Sequence, residues 1–228
     1  MDWTYELACT GTANGARDVE TWLDAAIKAW RDLPGLTALD LYRPIADGAH
    51  DPFNNDGPGP VFIAMLAFPL RTALAQAIAS AEFALSLGGR PSGRSYTGSS
   101  FERRFYPVGG ETEPAPLTAP FSYVVRYYRP AEDEAGFIRT YVDTHPPTLG
   151  KLPGIRSVMC YFPQAIAAPG VLPAGTMIGN EVAFDDVAAF NAAMQSEVRQ
   201  ELRQHFREFP PFTGRNTHFP MNRTRHFG

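Results

Sequence analysis

The strongest constraint on how this chain folds is that it carries a weak copy of itself. Leu33-Pro34-Gly35-Leu36 and Leu152-Pro153-Gly154-Ile155 lie 119 residues apart, and at that offset Thr21 and Asp24 recur as Thr140 and Asp143. Trp22-Leu23 is matched in kind by Tyr141-Val142. At an offset of 116, Phe68, Ala73, Ala77 and Ser80 recur as Phe184, Ala189, Ala193 and Ser196, and Thr97-Gly98 as Thr213-Gly214. The slip between the two offsets falls in a loop, where insertions are tolerated. A series of matches in one order reads as a tandem duplication. Its boundary falls in Gly109-Gly110-Glu111-Thr112-Glu113-Pro114-Ala115-Pro116, a stretch of linker composition. The division is then a first unit over 1–108, a linker over 109–120 and a second unit over 121–228.

Each half reads as the same string of elements. In the second, Phe121, Tyr123, Val125 and Tyr127 share one face of an alternating segment that ends at Pro130, which predicts a strand. Ala131 to Thr144 predicts a helix with Phe137, Ile138, Tyr141 and Val142 as its apolar stripe. Proline disfavours the helical conformation in the residue before it, so Pro146 predicts a helix end at Thr144 or His145. Pro153-Gly154 turns the chain into a strand over Ile155 to Phe162, and a loop rich in proline and glycine leads to another over Met177 to Phe184. Asp185-Asp186 suits a helix N-terminus by capping and charge. Val187, Phe190, Met194, Val198 and Leu202 follow at spacings of three and four and predict one helix of about five turns. An irregular strand from about Phe212 ends the chain.

The first half gives strands over Trp3–Ala8, Leu36–Tyr42, Val61–Phe68 and Ser95–Tyr106. Its helices span Asp18–Arg31 and a second stretch with Leu70, Leu74, Ile78, Ala81 and Leu85 inward, stopped by Gly88-Gly89. The order βαββαβ therefore occurs twice, as in the split-βαβ or ferredoxin-like motif. The expected fold class is α+β: two tandem ferredoxin-like units, each an antiparallel sheet with its helices on one face. The other face of each sheet must be covered, and the partner unit is the obvious cover, so the two sheets close as an α+β barrel within one chain.

Composition narrows the function classes. The 228 residues are 44% hydrophobic and carry a formal charge of −4, enough apolar surface for a core and too little charge for a generic nucleic-acid binder. No window reaches 18 apolar residues, so no membrane span is expected. Met1 to Glu6 lacks a basic stretch followed by an apolar one, which reads as no signal peptide and a cytoplasmic protein. Cys9 and Cys160 form no C-x-x-C pair and read as two buried free thiols in a reducing compartment. The 20 glycines and 21 prolines collect in the two Leu-Pro-Gly turns, the long loops after the second strands and the linker.

The second half contains Val124-Val125-Arg126-Tyr127-Tyr128-Arg129-Pro130, then Phe137-Ile138-Arg139-Thr140-Tyr141-Val142-Asp143-Thr144-His145-Pro146-Pro147, then Leu152-Pro153-Gly154-Ile155. This pattern resembles the EthD family of the dimeric α+β-barrel superfamily: a strand with a tyrosine, a helix ending Tyr-x-x-x-His-x-Pro, and a leucine-proline-glycine turn. The match covers about 40 residues, and the superfamily hosts several chemistries, among them isomerases of the muconolactone type, polyketide cyclases and dehydratases, and small monooxygenases. Members usually build their barrel from two chains; here two units are fused, and a homodimer of the fused chain stays open. In the first half Ala26 stands where His145 would be, so the motif histidine occurs once.

His145 is the candidate catalytic residue. At a helix C-terminus it would feel the negative end of the dipole, which favours its protonated form. Lining the barrel interior, it could pass a proton near neutral pH. The plainer alternative is a histidine capping the terminal carbonyls. Tyr141 precedes it by one turn in the motif. Alternation sends Tyr123 and Tyr127 to one face of their strand and Arg126 with Tyr128 to the other. An arginine under helices would be badly placed, so Arg126 and Tyr128 are assigned to the cavity or its rim, to hold a carboxylate or enolate. An ion pair with a neighbouring glutamate is the competing role for Arg126. Asn180 and Glu181 would add polar groups to the cavity.

His205, His218 and His226 fit no metal-ligand spacing, so neither a metal nor a haem on His205 is expected, and no cofactor motif is visible. Arg215, Arg223 and Arg225 read as a solvated tail or an anion-binding rim. Asp47 to Pro60 lacks EF-hand spacing and reads as a mobile loop over one barrel mouth. Gly88-Gly89-Arg90 reads as a helix stop, not a phosphate loop. The leading functional expectation is a cofactor-independent enzyme doing isomerase-, cyclase- or dehydratase-type proton transfer on a small apolar or aromatic carbonyl substrate. The alternatives are a cofactor-free, monooxygenase-like oxidoreductase and a small-molecule binding module without turnover.

Overall fold

The computed structural model describes residues 1–11, 16–45 and 47–228. The first half runs β1 (Asp2–Thr10), α1 (Ala16–Trp30), β2 (Ala38–Pro44), β3 (Phe62–Phe68), α2 (Arg71–Ile78), α3 (Ala81–Ser86) and β4 (Ser95–Tyr106). The second runs β5 (Phe121–Tyr128), α4 (Glu134–Leu149), β6 (Ser157–Gln164), the two-residue β7 (Leu172–Pro173), β8 (Thr176–Phe184), α5 (Val187–Met194), α6 (Glu197–Glu208) and β9 (Asn216–Phe227). Strand order is β4-β1-β3-β2 in one half and β9-β5-β8-β6 in the other, the same ferredoxin-like topology twice. The pairs β2–β9 and β4–β6 join the halves, so eight antiparallel strands close into one barrel and β7 flanks β4. This is the expected α+β barrel, and closure leaves the sheet without long free edges.

Strand alternation divides the side chains into three compartments. Tyr5, Leu7 and Cys9 of β1 face the first half's helices; Phe121, Tyr123, Val125 and Tyr127 of β5 face the second's. The opposite faces meet inside the barrel, where Tyr42, Met65, Phe101, Val124, Met159 and Met221 pack together. The barrel interior also holds charge. Arg126 of β5 pairs with Glu6 of β1 at 2.6 Å, and Arg223 of β9 pairs with Asp40 of β2 at 2.6 Å. Gly179 leaves the room Arg126 needs, because a Cβ there would lie 2.8 Å from its Cδ. Both Leu-Pro-Gly turns carry their glycine at positive φ (76° at Gly35, 73° at Gly154), a conformation that favours glycine.

Several local expectations are corrected. Each long second helix is two helices, broken where the matched serines stand. Ser80 Oγ accepts from Phe83 N at 3.1 Å and Ser196 Oγ from Arg199 N at 3.4 Å, so each serine caps a new helix. The break shifts the phase of the first half's stripe: Leu74 and Ile78 are buried as expected, but Leu70 and Leu85 are exposed and Phe83 is buried instead. Helix α4 does not stop at His145. It continues through Pro146 and Pro147 to Leu149, and Gly150 N rejoins the ladder on Pro146 O at 3.0 Å. The proline rings remove two donors, but their φ is helical, and burial of Pro146, Thr148 and Leu149 holds the last turn.

The arginine tail is not a solvated terminus: it is the barrel-closing strand β9, and Arg223 also donates to Ala119 O at 3.1 Å. The 109–120 segment is no free tether, since Leu117 and Ala119 are buried in the barrel's interior cluster. Thr97-Gly98 and Thr213-Gly214 do not occupy equivalent places. Gly98 lies opposite Leu7 within β4, whereas Gly214 precedes β9.

Candidate functional site

The second half leaves a cleft between its sheet and its helices. Its inner chamber, about 50 Å³, is walled by Val125, Leu149, Val182, Met194, Leu202 and Phe206, with His145 and Asn180 among them. Asn54, Tyr123 and His218 form a wall shared with an outer, polar chamber of about 390 Å³ that also touches Asp51 and Asp56. The segment Asp47 to Pro60 of the first half therefore lies over the second half's cleft. Asp51 anchors it: its carboxylate accepts from Tyr123 Oη at 2.6 Å and from Arg199 Nη2 at 2.8 Å. Burial alone would raise the Asp51 carboxyl, but the Arg199 guanidinium and hydrogen bonds from Tyr123, Asn54 and the Phe53 amide hold it below the ordinary carboxylate range. Asp56 accepts from both the backbone N and the ring of His218, at 2.8 and 2.9 Å.

His145 lies inside helix α4 and is 8% exposed. Its ring stands 4.9 Å from Tyr141, 5.4 Å from Phe209 and 6.3 Å from His205, centroid to centroid. Its Nδ1 is buried without a hydrogen-bond partner among the described residues. The protonated form expected from a helix C-terminus is overturned. Burial, and then electrostatic repulsion from neighbouring groups, Arg199 among them, push its pKa down to about 3, so the imidazole is neutral at physiological pH. It is not a capping histidine either, because four more helical residues follow it. Tyr141 accepts a hydrogen bond from Asn180 Nδ2, and burial pushes its phenol well above the ordinary value.

The structure brings His145, Tyr141 and Asn180 together and separates them from Arg126 and Glu181. Arg126 does face away from the helices, as alternation demands, but it is 3% exposed inside the barrel with both Nε and Nη2 on Glu6 Oε2. Its glutamate ion pair is thus present. Glu181, fully buried, accepts from Ser122 Oγ at 2.6 Å and from the Tyr42 and Tyr161 hydroxyls, and ties four strands together inside the barrel. Tyr128 sits at the barrel's end beneath Arg215. Because His145 belongs to a helix, its companions on β5 are the helix-facing Tyr123 and Tyr127.

Sequence reasoning missed Arg199, Arg203, Asn54 and Asn216 as cleft residues. Arg199 and Arg203 lie one turn apart on α6. Arg203 makes no ion pair with any described residue and stands 5.4 Å from the Phe53 ring and 5.3 Å from that of Phe206. The cleft thus holds one uncompensated fixed cation. Among the described residues no three His, Cys, Asp or Glu side chains converge as a metal ion would require.

No protein-family model matches the chain, and neither does any curated protein. Solved structures do. A protein described as anthrone oxidase-like superposes with TM-score 0.66 at 14% identity, covering 98% of this chain and 92% of its own. A candidate monooxygenase from Lactobacillus acidophilus NCFM superposes at 0.58 and 11% identity, over 100% and 97%. A candidate chlorite dismutase superposes at 0.52 and 13%, over 98% and 94%. At these identities the likeness establishes the fold: the chain has the dimeric α+β-barrel architecture, here closed within a single polypeptide.

Proposed function

We propose that the chain is an enzyme that takes a proton from a small, largely apolar aromatic carbonyl compound, with His145 as the base. The observation that carries this reading is the state of His145: a neutral, nine-tenths buried imidazole that lines the inner chamber and keeps one ring nitrogen without a hydrogen-bond partner among the described residues. A buried imidazole resists a proton that arrives alone. It accepts one readily when the donor becomes an enolate or phenolate in contact with it, because the new anion offsets the cost of the new cation. Arg203 adds a fixed positive charge for the same anion, and the Tyr141 ring, hydrogen-bonded by Asn180, packs 4.9 Å from the imidazole. The substrate's reacting carbon would sit in the inner chamber and its polar end in the outer one.

Proton transfer of this kind serves isomerisation, cyclisation or dehydration. The likeness to an anthrone oxidase-like structure and a candidate monooxygenase favours a second outcome, in which the carbanion meets O₂. A CH₂ group flanked by aromatic rings would then lose two hydrogens and gain one oxygen, the other oxygen leaving as water. Membership of the EthD family and descent by tandem duplication belong to the same proposal; the repeated topology supports the latter.

The test uses aryl ketones with an acidic CH₂ group, anthrone included, in D₂O with an oxygen electrode. Deuterium exchange at the acidic carbon without O₂ uptake supports the proton-transfer reading, and O₂ uptake with quinone formation supports oxygenation. Saturable binding with neither would leave a binding module, and rates unchanged in His145→Ala would remove His145 as the base.

A further inference from the structure

One end of the barrel is open, and the cleft reading makes no use of it. There, between β1, β4, β5 and β9, lies a separate cavity of about 300 Å³. Water occupies about 30 Å³ in the liquid, so this space holds an organic molecule of several heavy atoms. Its floor is the Glu6–Arg126 ion pair, and Asp56 at its rim accepts hydrogen bonds from the backbone and ring of His218, so both wall carboxylates already have partners. Two groups are left over. Thr217, opposite Arg126 on the inward face of β9 and 91% buried, has a hydroxyl with no hydrogen-bond partner. Arg215 makes no ion pair with any described residue and is steadied by the Tyr128 ring, 4.6 Å from its Cζ. The hydroxyls of Thr10, Ser95 and Thr97 also line the wall.

The other end of the barrel shows that this is not how barrel ends must be. There Arg103 is paired with Asp2, and Arg223 and Arg225 with Asp40. Each of those arginines has a carboxylate partner, although Arg103 Nη1 there is buried without a hydrogen-bond partner among the described residues. The open end carries a surplus guanidinium, a buried orphan hydroxyl and empty space.

We propose that the open end of the barrel is a binding site for a small hydroxy-carboxylate, distinct from the His145 cleft. The carboxylate would lie on Arg215 and the Thr217 hydroxyl, an arrangement suited to a charge-assisted, forked contact. The ligand's own hydroxyls would meet Thr10, Ser95 and Thr97, and its carbon skeleton would rest on Ala8, Ile63 and Val124.

The experiment is calorimetric titration of the whole chain with L-malate, citrate and D-gluconate, with dimethyl malate as the uncharged control. At least one anion saturates the protein, and the diester does not. Arg215→Gln weakens binding about tenfold, near 1.4 kcal/mol. Thr217→Val swaps the hydroxyl for a methyl and weakens binding about fivefold without lowering the melting temperature, because that buried, unpartnered hydroxyl stabilises nothing in the free protein. Should Arg215→Gln fail to fold, Arg215→Lys and Thr217→Val carry the comparison. His145→Ala leaves the affinity as it was. The proposal is overturned if none of the three anions saturates below about 20 mM, an affinity barely above 2 kcal/mol. It is equally overturned if binding ignores both Arg215→Gln and Thr217→Val, or if it is lost with His145→Ala. None of these outcomes depends on His145 being catalytic.

Discussion

The two halves share a topology and differ in what fills the space between sheet and helices. In the first half that space is closed by aromatic side chains: Trp22 packs on Trp30, Phe62 and Tyr96, and Trp30 on Phe83. Both indoles are tied to α3, Trp30 Nε1 to Ser86 Oγ at 2.7 Å and Trp22 Nε1 to Ser86 O at 3.2 Å. In the second half Tyr141 stands for Trp22, His145 for Ala26, Asn180 for Ala64 and Arg199 for Phe83, and a cleft opens. One framework yields a core when its facing positions are large and apolar, and a site when some are polar. The first half still contributes to the site, through the segment carrying Asp51 and Asn54.

Copying the first half's residue into the second is the strongest way to break this contrast. His145→Ala should lower the oxygen-uptake or exchange rate by about 10²–10⁴-fold, the usual worth of a positioned base. Steady-state rates at saturating substrate check it, and a loss confined to KM would show a binding role instead. The reciprocal Ala26→His should create no activity, because the indoles leave no cavity beside it. Next in size, Trp30→Ala should destabilise the protein by about 3–5 kcal/mol in urea titrations, the range for deleting a fully buried aromatic side chain. His145→Ala, beside a cavity that exists already, should cost far less.

Much of this contrast is present in the sequence. Periodicity and the paired Leu-Pro-Gly turns are enough for the topology, because each element's pattern is local and the two halves corroborate each other. The helix breaks were marked by the matched Ser80 and Ser196, but a serine inside an apolar stripe also reads as a neutral helix residue until its capping bonds are seen. His145 and Tyr141 stood out by their motif. Arg126 and Glu181 face the barrel interior while His145 lines the helix-side cleft, because alternation gives a residue's face but not which of two faces carries the cleft. Membership of a helix settles that for His145. The Arg199–Asp51 contact was out of reach, since it joins residues 148 apart across the two halves.

Acid should separate the halves again. His145 keeps a pKa of about 3 in the fold against roughly 6.5 unfolded. Between those values the unfolded chain binds the extra proton, so stability is full above pH 6.5 and falls as pH drops towards 3. At pH 4.5 this one group should cost roughly 2–3 kcal/mol relative to pH 7, and His145→Gln should flatten that part of the profile in urea titrations. The first half's tryptophan cluster, whose Tyr96 phenol titrates far above this range, gives no such slope.

The smallest effect tests whether the first half's segment is fastened to the second half by charge. Asp51→Asn keeps the shape and one acceptor oxygen but removes the carboxylate that Arg199 and Tyr123 share. Replacing a charge-assisted hydrogen bond with a neutral one should cost about 1–2 kcal/mol. The loss should be local, because among the described residues the segment's remaining hydrogen bonds to the second half are few: His50 N to Asn191 Oδ1 at 2.8 Å, Asn191 Nδ2 to Gly48 O at 2.7 Å, and Asp56 to His218. Amide exchange at Phe53, whose N–H rests on Asp51, should therefore quicken while the amides of β1 and β3 keep their protection. A uniform loss across both halves would mean that Asp51 stabilises the barrel as a whole. A loss confined to the segment would mean that the cleft's outer wall moves independently of the framework that positions His145.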